Sequence, residues 1–202
     1  SLAQVTDEYR SIQSGVWSDP ATWEVFDGTS WQPASSIPST HLVPIRIQTT
    51  HTVNIDVPAS LIPVATYIIE TGGNLTGELV LDYAYRLGSN VPDFIVDGTA
   101  ETIRVIDYRF SNGISGNGTI GTLEVNLSSP GSGFSNYFSF YGNLKISSSC
   151  TISVRGGGRH VSISNSLTIL QGAVFGTNAV ITSGRLKRYI DSGGNAAYPF
   201  GF

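Results

Sequence analysis

The sequence predicts an all-β fold, a solenoid of stacked β units with a Trp-rich N-terminal cap and almost no helix, and three observations carry that prediction. The first is a strand-turn-strand phrase written twice between Gly142 and Phe175, as G-N-L-K-I-S-S-S-C-T-I from Gly142 and N-S-L-T-I-L-Q-G-A-V-F from Asn165. At an offset of 23 residues Leu144 falls on Leu167, Ile146 on Ile169, Cys150 on Ala173 and Ile152 on Phe175. Apolar residues at i and i+2, a polar turn, then apolar residues again mark stacked β units. The second is a further copy, Y-I-I-E-T-G-G-N-L-T-G from Tyr67 to Gly77. A shift of 77 sets Tyr67 on Leu144, Ile69 on Ile146, Gly73 on Cys150 and Leu75 on Ile152, and since 77 is not a multiple of 23, insertions separate this copy from the later two. The third is composition: charged residues are 13%, Gly is 23 residues and Met is absent. No window supplies Glu, Lys, Leu and Ala at the 3.6-residue spacing of an amphipathic helix.

Taken in order, Tyr9 to Pro38 is rich in turns and tryptophan. Asp19-Pro20 and Asp27-Gly28 are turn dipeptides, the second a hairpin signal between W-E-V-F and T-S-W. Trp17, Trp23 and Trp31 have two readings: exposed, they stack on sugar rings; buried, they plug the open end of a β stack. The plug is preferred, because a stack must be capped and this segment lies outside the repeat. His41 to Val57 alternates, with Val43, Ile45 and Ile47 facing one way and Val53, Ile55 and Val57 likewise, which predicts strands. Ser89 to Asn112 holds two more strands about a turn at Asp97-Gly98. Gly116-x-Gly118-x-x-Gly121 fits the dinucleotide fingerprint in form only. An alternating strand, T-L-E-V-N-L, follows where that fingerprint requires a helix N-terminus, so the glycines are assigned to corners of a coil. Ser128 to Tyr141 is an aromatic loop leading into the late repeats, and the chain ends in Y-P-F-G-F.

No linker divides the 202 residues, so one solenoid domain, 1–202, is expected: a cap segment 1–40, coils 41–183, and a docking or junction tail 184–202. The net charge is -4 and the pI about 5.2, with two lysines. Nothing provides the basic stripe that a phosphate backbone requires, so nucleic acid is not an expected partner. The longest apolar run, Leu61 to Ile69, is broken by Pro63 and Thr66 and is about half the length a bilayer needs, so no membrane span is expected. A single cysteine, Cys150, excludes an internal disulfide and a Cys-based zinc cluster. Its alignment with Ala173 and Gly73 makes it a small inward filler. The opening S-L-A-Q has the small residues found around a signal-peptidase site, or is a remnant of cloning.

The residues offer little for catalysis. A G-x-S-x-G elbow is absent, and His41, His51 and His160 lack the spacing of metal ligands. Asp82, Asp93, Asp97 and Asp107 converge only if successive coils align, with Arg104 or Arg109 nearby, and no D-x-D run supports a calcium site. No cofactor, metal or catalytic residue is therefore assigned.

S-G-V-W-S-D-P-A-T-W from Ser14 to Trp23, then D-G-T-S-W, H-T-V from His51 to Val53, and E-T-G-G-N-L-T from Glu70 to Thr76 together resemble a known pattern. It is the N-terminal segment of large secreted surface proteins of Bacteroidetes-type bacteria and, more distantly, the G8 module. G-R-L-K-R-Y-I from Gly184, followed by Y-P-F-G-F, is similar to the place where those proteins leave a β-helical stack for the next domain. The glycine expected before the histidine is Thr50 here. The resemblance implies a right-handed β-helix outside the cell or on its surface, acting in adhesion, matrix or glycan contact.

The expected function is that of a non-catalytic extracellular structural or adhesive surface module that self-assembles into a filament or layer. The alternatives are a carbohydrate-binding module and, behind it, a polysaccharide-degrading enzyme. Expected partners are copies of the chain itself or adjoining domains of a larger surface protein, with glycans as the alternative. The candidate interaction surface comprises Trp17, Trp23, Trp31, Phe134, Tyr137, Tyr141, Tyr198, Phe200 and Phe202. Alternate members of the aromatic loop, Phe138 and Phe140, are expected to point inward.

Overall fold

The computed structural model describes residues 4–39, 43–63, 65–82, 94–106, 112–127, 137–154, 160–169, 174–177 and 180–188. These form sixteen strands and two 3-10 turns, Pro20–Thr22 and Ala59–Leu61, with no longer helix among the described residues. The strands are parallel for most of their length and wind into a β-solenoid.

Each coil has straight sides separated by tight corners. The first side is built from β1 (Tyr9–Ser11), β5 (Ile45–Ile47), β7 (Tyr67–Ile69), β9 (Phe94–Val96), β11 (Asn112–Gly116) and the start of β13 (Tyr137–Val154). The next side uses β2 (Gly15–Val16), β6 (Thr52–Asn54), the start of β8 (Asn74–Asp82), β10 (Thr99–Ile106) and β12 (Thr119–Leu127), then the middle of β13. Where β8, β10, β12 and β13 run longer, an irregularity bends them onto a third side. The register slips between Ala100 and Thr102 against β8, and between Ile120 and Thr122 against β13. β14 (His160–Ile169), β15 (Val174–Thr177) and β16 (Val180–Arg188) continue the stack.

Alternation on a pleated strand sends every second side chain inward, and parallel stacking places like positions one above another. Tyr9, Ile45, Tyr67, Phe94, Ile114 and Phe140 form one inward row. Val53, Leu75, Ala100, Ile120 and Ile146 form a second, and Leu79, Ile103, Leu123 and Cys150 a third. All of them are buried. The core is therefore a set of apolar columns along the solenoid axis.

The register corrects the repeat alignment in two places. An offset of 23 holds for Leu144 on Leu167 and Ile146 on Ile169. Past the bend the partner of Cys150 is Phe175, and that of Ile152 is Thr177, because the β13–β15 pairing has slipped by two residues. The 77-residue shift is out of phase: the column of Tyr67 reaches Phe140, and that of Leu75 reaches Ile146. Coils of unequal length explain this, since an i, i+2 alternation looks the same whichever corner it starts from.

The N-terminal segment is more than a lid. β1 and β2 pair in parallel with β5 and β6, so the first coil begins at Tyr9, inside the expected cap region. The chain then turns back: β3 (Trp23–Phe26) lies antiparallel on β1, and β4 (Trp31–Pro33) antiparallel on β3. At the other end, Arg185 to Arg188 pair with Ser166 to Ile169, so the coil extends into the expected tail.

Corners are set by close backbone approach. A Cβ on Gly98 would collide with the Gly73 carbonyl oxygen, and one on Gly118 with that of Gly98. The amides of Thr99, Thr119 and Lys145 reach the carbonyls of Gly73, Gly98 and Gly118 at 2.9, 2.9 and 3.1 Å. The fingerprint-like glycines are thus where one coil sits on the next, and β12 rather than a helix follows them. Gly118→Ala should cost about 1–3 kcal/mol through overpacking, read from urea unfolding followed by far-UV circular dichroism.

Thr50, standing where the resembled pattern has glycine, has φ 69. Gly72 takes the matching left-handed conformation one coil on, at φ 80, and its carbonyl accepts from the Thr50 amide at 3.2 Å. A β-branched residue is strained there. Thr50→Gly should raise stability by about 1 kcal/mol in the same unfolding assay, the strain relieved outweighing the glycine's added entropy.

Candidate functional site

The Trp-rich segment folds around two indoles with no exposed surface, Trp17 and Trp23. Asp19 caps the 3-10 turn between them by accepting from the Ala21 amide at 2.9 Å. Their rings meet edge to face at 5.0 Å between centroids, and Trp23 Nε1 donates to the Trp17 carbonyl at 3.1 Å. Trp17 also contacts Tyr67 at 6.3 Å, and Tyr67 stacks on Phe94 at 5.7 Å, so the cap joins an aromatic column in the core. Tyr67 is fully buried, its hydroxyl donates to the Pro63 carbonyl, and burial raises its pKa well above the ordinary phenol value. As interaction-surface candidates Trp17 and Trp23 are corrected: packing removes them from contact with any partner, and the plug reading describes them.

Trp31 is half-buried on the outermost strand. Phe26 lies 5.4 Å away, and the Arg10 guanidinium sits 4.1 Å over the ring, held by an ion pair to Glu24 at 2.6 Å. This is a cation–π contact made within the chain, which already occupies part of the indole. Tyr141 is 43% exposed on the first side, while Phe140 next to it points into the core. Tyr137 pairs in register with His160. Phe134, Tyr198, Phe200 and Phe202 lie outside the described residues.

Polar side chains run in rows from coil to coil. Glu8 is fully buried and is satisfied by Arg46 Nη2 at 3.0 Å and Nε at 3.3 Å on one oxygen, and by the Val5 amide at 3.3 Å on the other. Arg46 Nη1 also reaches Glu70 at 3.3 Å. On the third side Arg104 bridges Glu78 and Glu124 at 2.5 and 2.6 Å, tying three successive coils. Asp97 accepts from the Asn117 amide at 3.0 Å, and Asn143 donates to Asn117 at 3.3 Å. These rows were not legible in sequence, since partners lie one coil apart and the coil length varies.

The acidic residues considered for catalysis are therefore distributed differently. Asp97 serves a corner, and Arg104 pairs with glutamates. Asp93, Asp107 and Arg109 lie outside the described residues. His51 Nδ1 meets the Ser11 hydroxyl at 3.0 Å, and His41 is outside the described residues. Among the described residues no group of three His, Cys, Asp or Glu side chains could hold a metal. Asp27 is held well below the usual carboxylate range by the Thr29 hydroxyl and the Ser30 and Thr29 amides and fixes its local turn, whereas Asp56, lowered by the Ser18 hydroxyl, ties the segment after β6 to the one after β2. Comparisons with protein-family models, curated proteins and solved structures find no match.

Three outcomes are expected. Arg46→Met leaves the Glu8 carboxylate buried without its partner and should cost about 3–5 kcal/mol in urea unfolding, most of it regained in Glu8→Gln/Arg46→Met. Trp23→Ala should cost about 3–5 kcal/mol by opening a cavity at the capped end. Burial pushes the Cys150 thiol up to about 12, so it should resist a thiol reagent at pH 8 until urea unfolds the chain. Because the folded value lies above the unfolded one, the stability linked to this thiol is complete below the ordinary thiol pKa. It is lost as pH rises from there through about 12.

Proposed function

We propose that this chain is a non-catalytic structural or adhesive module, placed outside the cell or on its surface, that acts as a stiff spacer between copies of itself or adjoining domains. The observation that carries this reading is the coil-to-coil ladder, unbroken from β2 through β6, β8, β10 and β12 to β13 and on to β14 and β16. Every coil is bonded to the next through its backbone, so bending the rod means breaking several hydrogen bonds at once. The charged rows support the same role. Arg104, Arg46 and Arg10 spend their charge on neighbouring carboxylates of the chain, an arrangement that stiffens the stack. An extracellular place is supported by the likeness of the Trp-turn-Trp and H-T-V segments to secreted surface proteins.

Exposed Tyr141 favours a second reading, a carbohydrate-binding module. A planar side chain on a flat β face is the kind of group on which a sugar ring stacks. Affinity electrophoresis in gels containing neutral or acidic polysaccharides separates the two. The structural reading expects unchanged mobility in every gel, while retardation that disappears in Tyr141→Ala would establish the binding module. Turnover of an acidic polysaccharide, abolished by Asp97→Asn, would sink both.

A further inference from the structure

The corner between β11 and β12 carries Asn117-Gly118, a pair with a covalent chemistry of its own. A glycine nitrogen has no side chain beside it, so where the chain is free it can attack the side-chain carbonyl carbon of a preceding asparagine. Asn54, Asn74 and Asn143 are followed instead by Ile55, Leu75 and Leu144, whose branched side chains obstruct that approach. Asn117 is exposed, open to the water that the reaction consumes. In the stacked coil, however, each participant is held away from reaction. The Gly118 amide donates to the Val96 carbonyl at 2.8 Å. A Cβ on Gly118 would strike the Gly98 carbonyl oxygen and, at 2.7 Å, that of Val96, so this stretch of backbone is wedged against the coil before it. The Asn117 side chain is fixed at both ends: Nδ2 donates to Asp97 Oδ1 at 3.4 Å, and Oδ1 accepts from Asn143 Nδ2 at 3.3 Å. The Asn117 backbone amide donates to the same Asp97 oxygen at 3.0 Å.

We infer that Asn117 is a site of spontaneous deamidation gated by coil stacking, inert while the corner is closed and converted once it opens. In the open corner the Gly118 nitrogen bonds to Asn117 Cγ as the Cγ–Nδ2 bond breaks. Nδ2 leaves as ammonia, taking the proton that the Gly118 nitrogen gives up. Water then adds to one of the two carbonyls of the resulting imide ring and opens it. One opening gives aspartate, the other an isoaspartate, in which the chain runs through the former side chain. Neither product fits the closed corner. Aspartate sets a second carboxylate against that of Asp97, and like charges so placed repel. Isoaspartate lengthens the backbone where Gly118 already touches the coil before it. An opening of this corner is therefore reversible only for as long as the amide lasts. The inference stands on the stacking alone and holds whichever role the solenoid has.

Peptide mapping by mass spectrometry tests it, following the amide-to-acid mass change at Asn117 in protein held at pH 8 with and without urea. The map separates Asn117 from Asn112, which also precedes a glycine. Conversion in urea should be at least about tenfold faster than in the folded chain, where it waits on the small open fraction. Refolding yield, read by far-UV circular dichroism after timed holds in urea, should fall in step with Asn117 conversion. Asn117→Ser removes the reacting amide and should keep its yield; serine suits the position, since Ser166 stands at the same corner two coils on. Asn117→Asp, one of the two products, should unfold at lower urea than the parent, and Asp97→Asn/Asn117→Asp, which returns one amide and one carboxylate to the pair, should recover the loss. Conversion in the folded protein as fast as in urea, full refolding of the converted chain, a yield that falls equally in Asn117→Ser, or an Asn117→Asp chain as stable as the parent would each overturn the inference.

Discussion

The constraint on which this structure depends is the short distance between one coil and the next. Parallel strands lie about 4.8 Å apart, so each position in a coil touches the same position in its neighbours, and whatever one coil places there the next must accommodate. Inward, this selects columns such as Leu79, Ile103, Leu123 and Cys150. At the corner it selects Gly73, Gly98 and Gly118, where a carbonyl of one coil occupies the space a Cβ of the next would need. Outward, it lets a guanidinium such as that of Arg104 pair with carboxylates above and below. The three features are consequences of one spacing.

A stack with that rule has no natural end. The N-terminal segment supplies one by leaving the rule: β1 and β2 obey it as a first coil, and β3 and β4 then reverse direction and cover it. Trp17 and Trp23 fill the space that a further inward row would have filled. The fit is not complete, since the Trp17 Nε1 proton is buried with no hydrogen-bond partner. Such an orphan donor costs about 1–3 kcal/mol, a cost accepted here alongside the apolar area that two indoles cover.

The fold class was legible because inward columns impose alternation and a repeat, and both survive in the letters of Leu144 to Ile169. What was illegible is phase. A coil may lengthen at any corner, so the residue opposite Tyr67 could not be found by shifting the sequence, and every cross-coil pair, Glu8 with Arg46 or Glu78 with Arg104, was hidden with it. The tryptophans show a second limit: W-S-D-P-A-T-W reads as a plug in preference to a platform, but only the reversal of β3 decides between them. Gly116-x-Gly118-x-x-Gly121 was separable from a nucleotide site because the strand pattern after it is itself local information.

All three tryptophans lie in the first 31 residues, within the cap and first coil, while Phe94, Phe140 and Cys150 mark the interior further along. The intrinsic emission of the protein is thus a reporter of one end of the rod. Circular dichroism averages over the whole stack, and the buried Cys150 thiol becomes reactive only when the later coils open. In a linear array the ends can open before the middle, and here the optical properties are already distributed to distinguish them. Indole emission that shifts to the red before the dichroism falls would reveal an end that frays. Coincident curves would mean that cap and coils melt as one cooperative body.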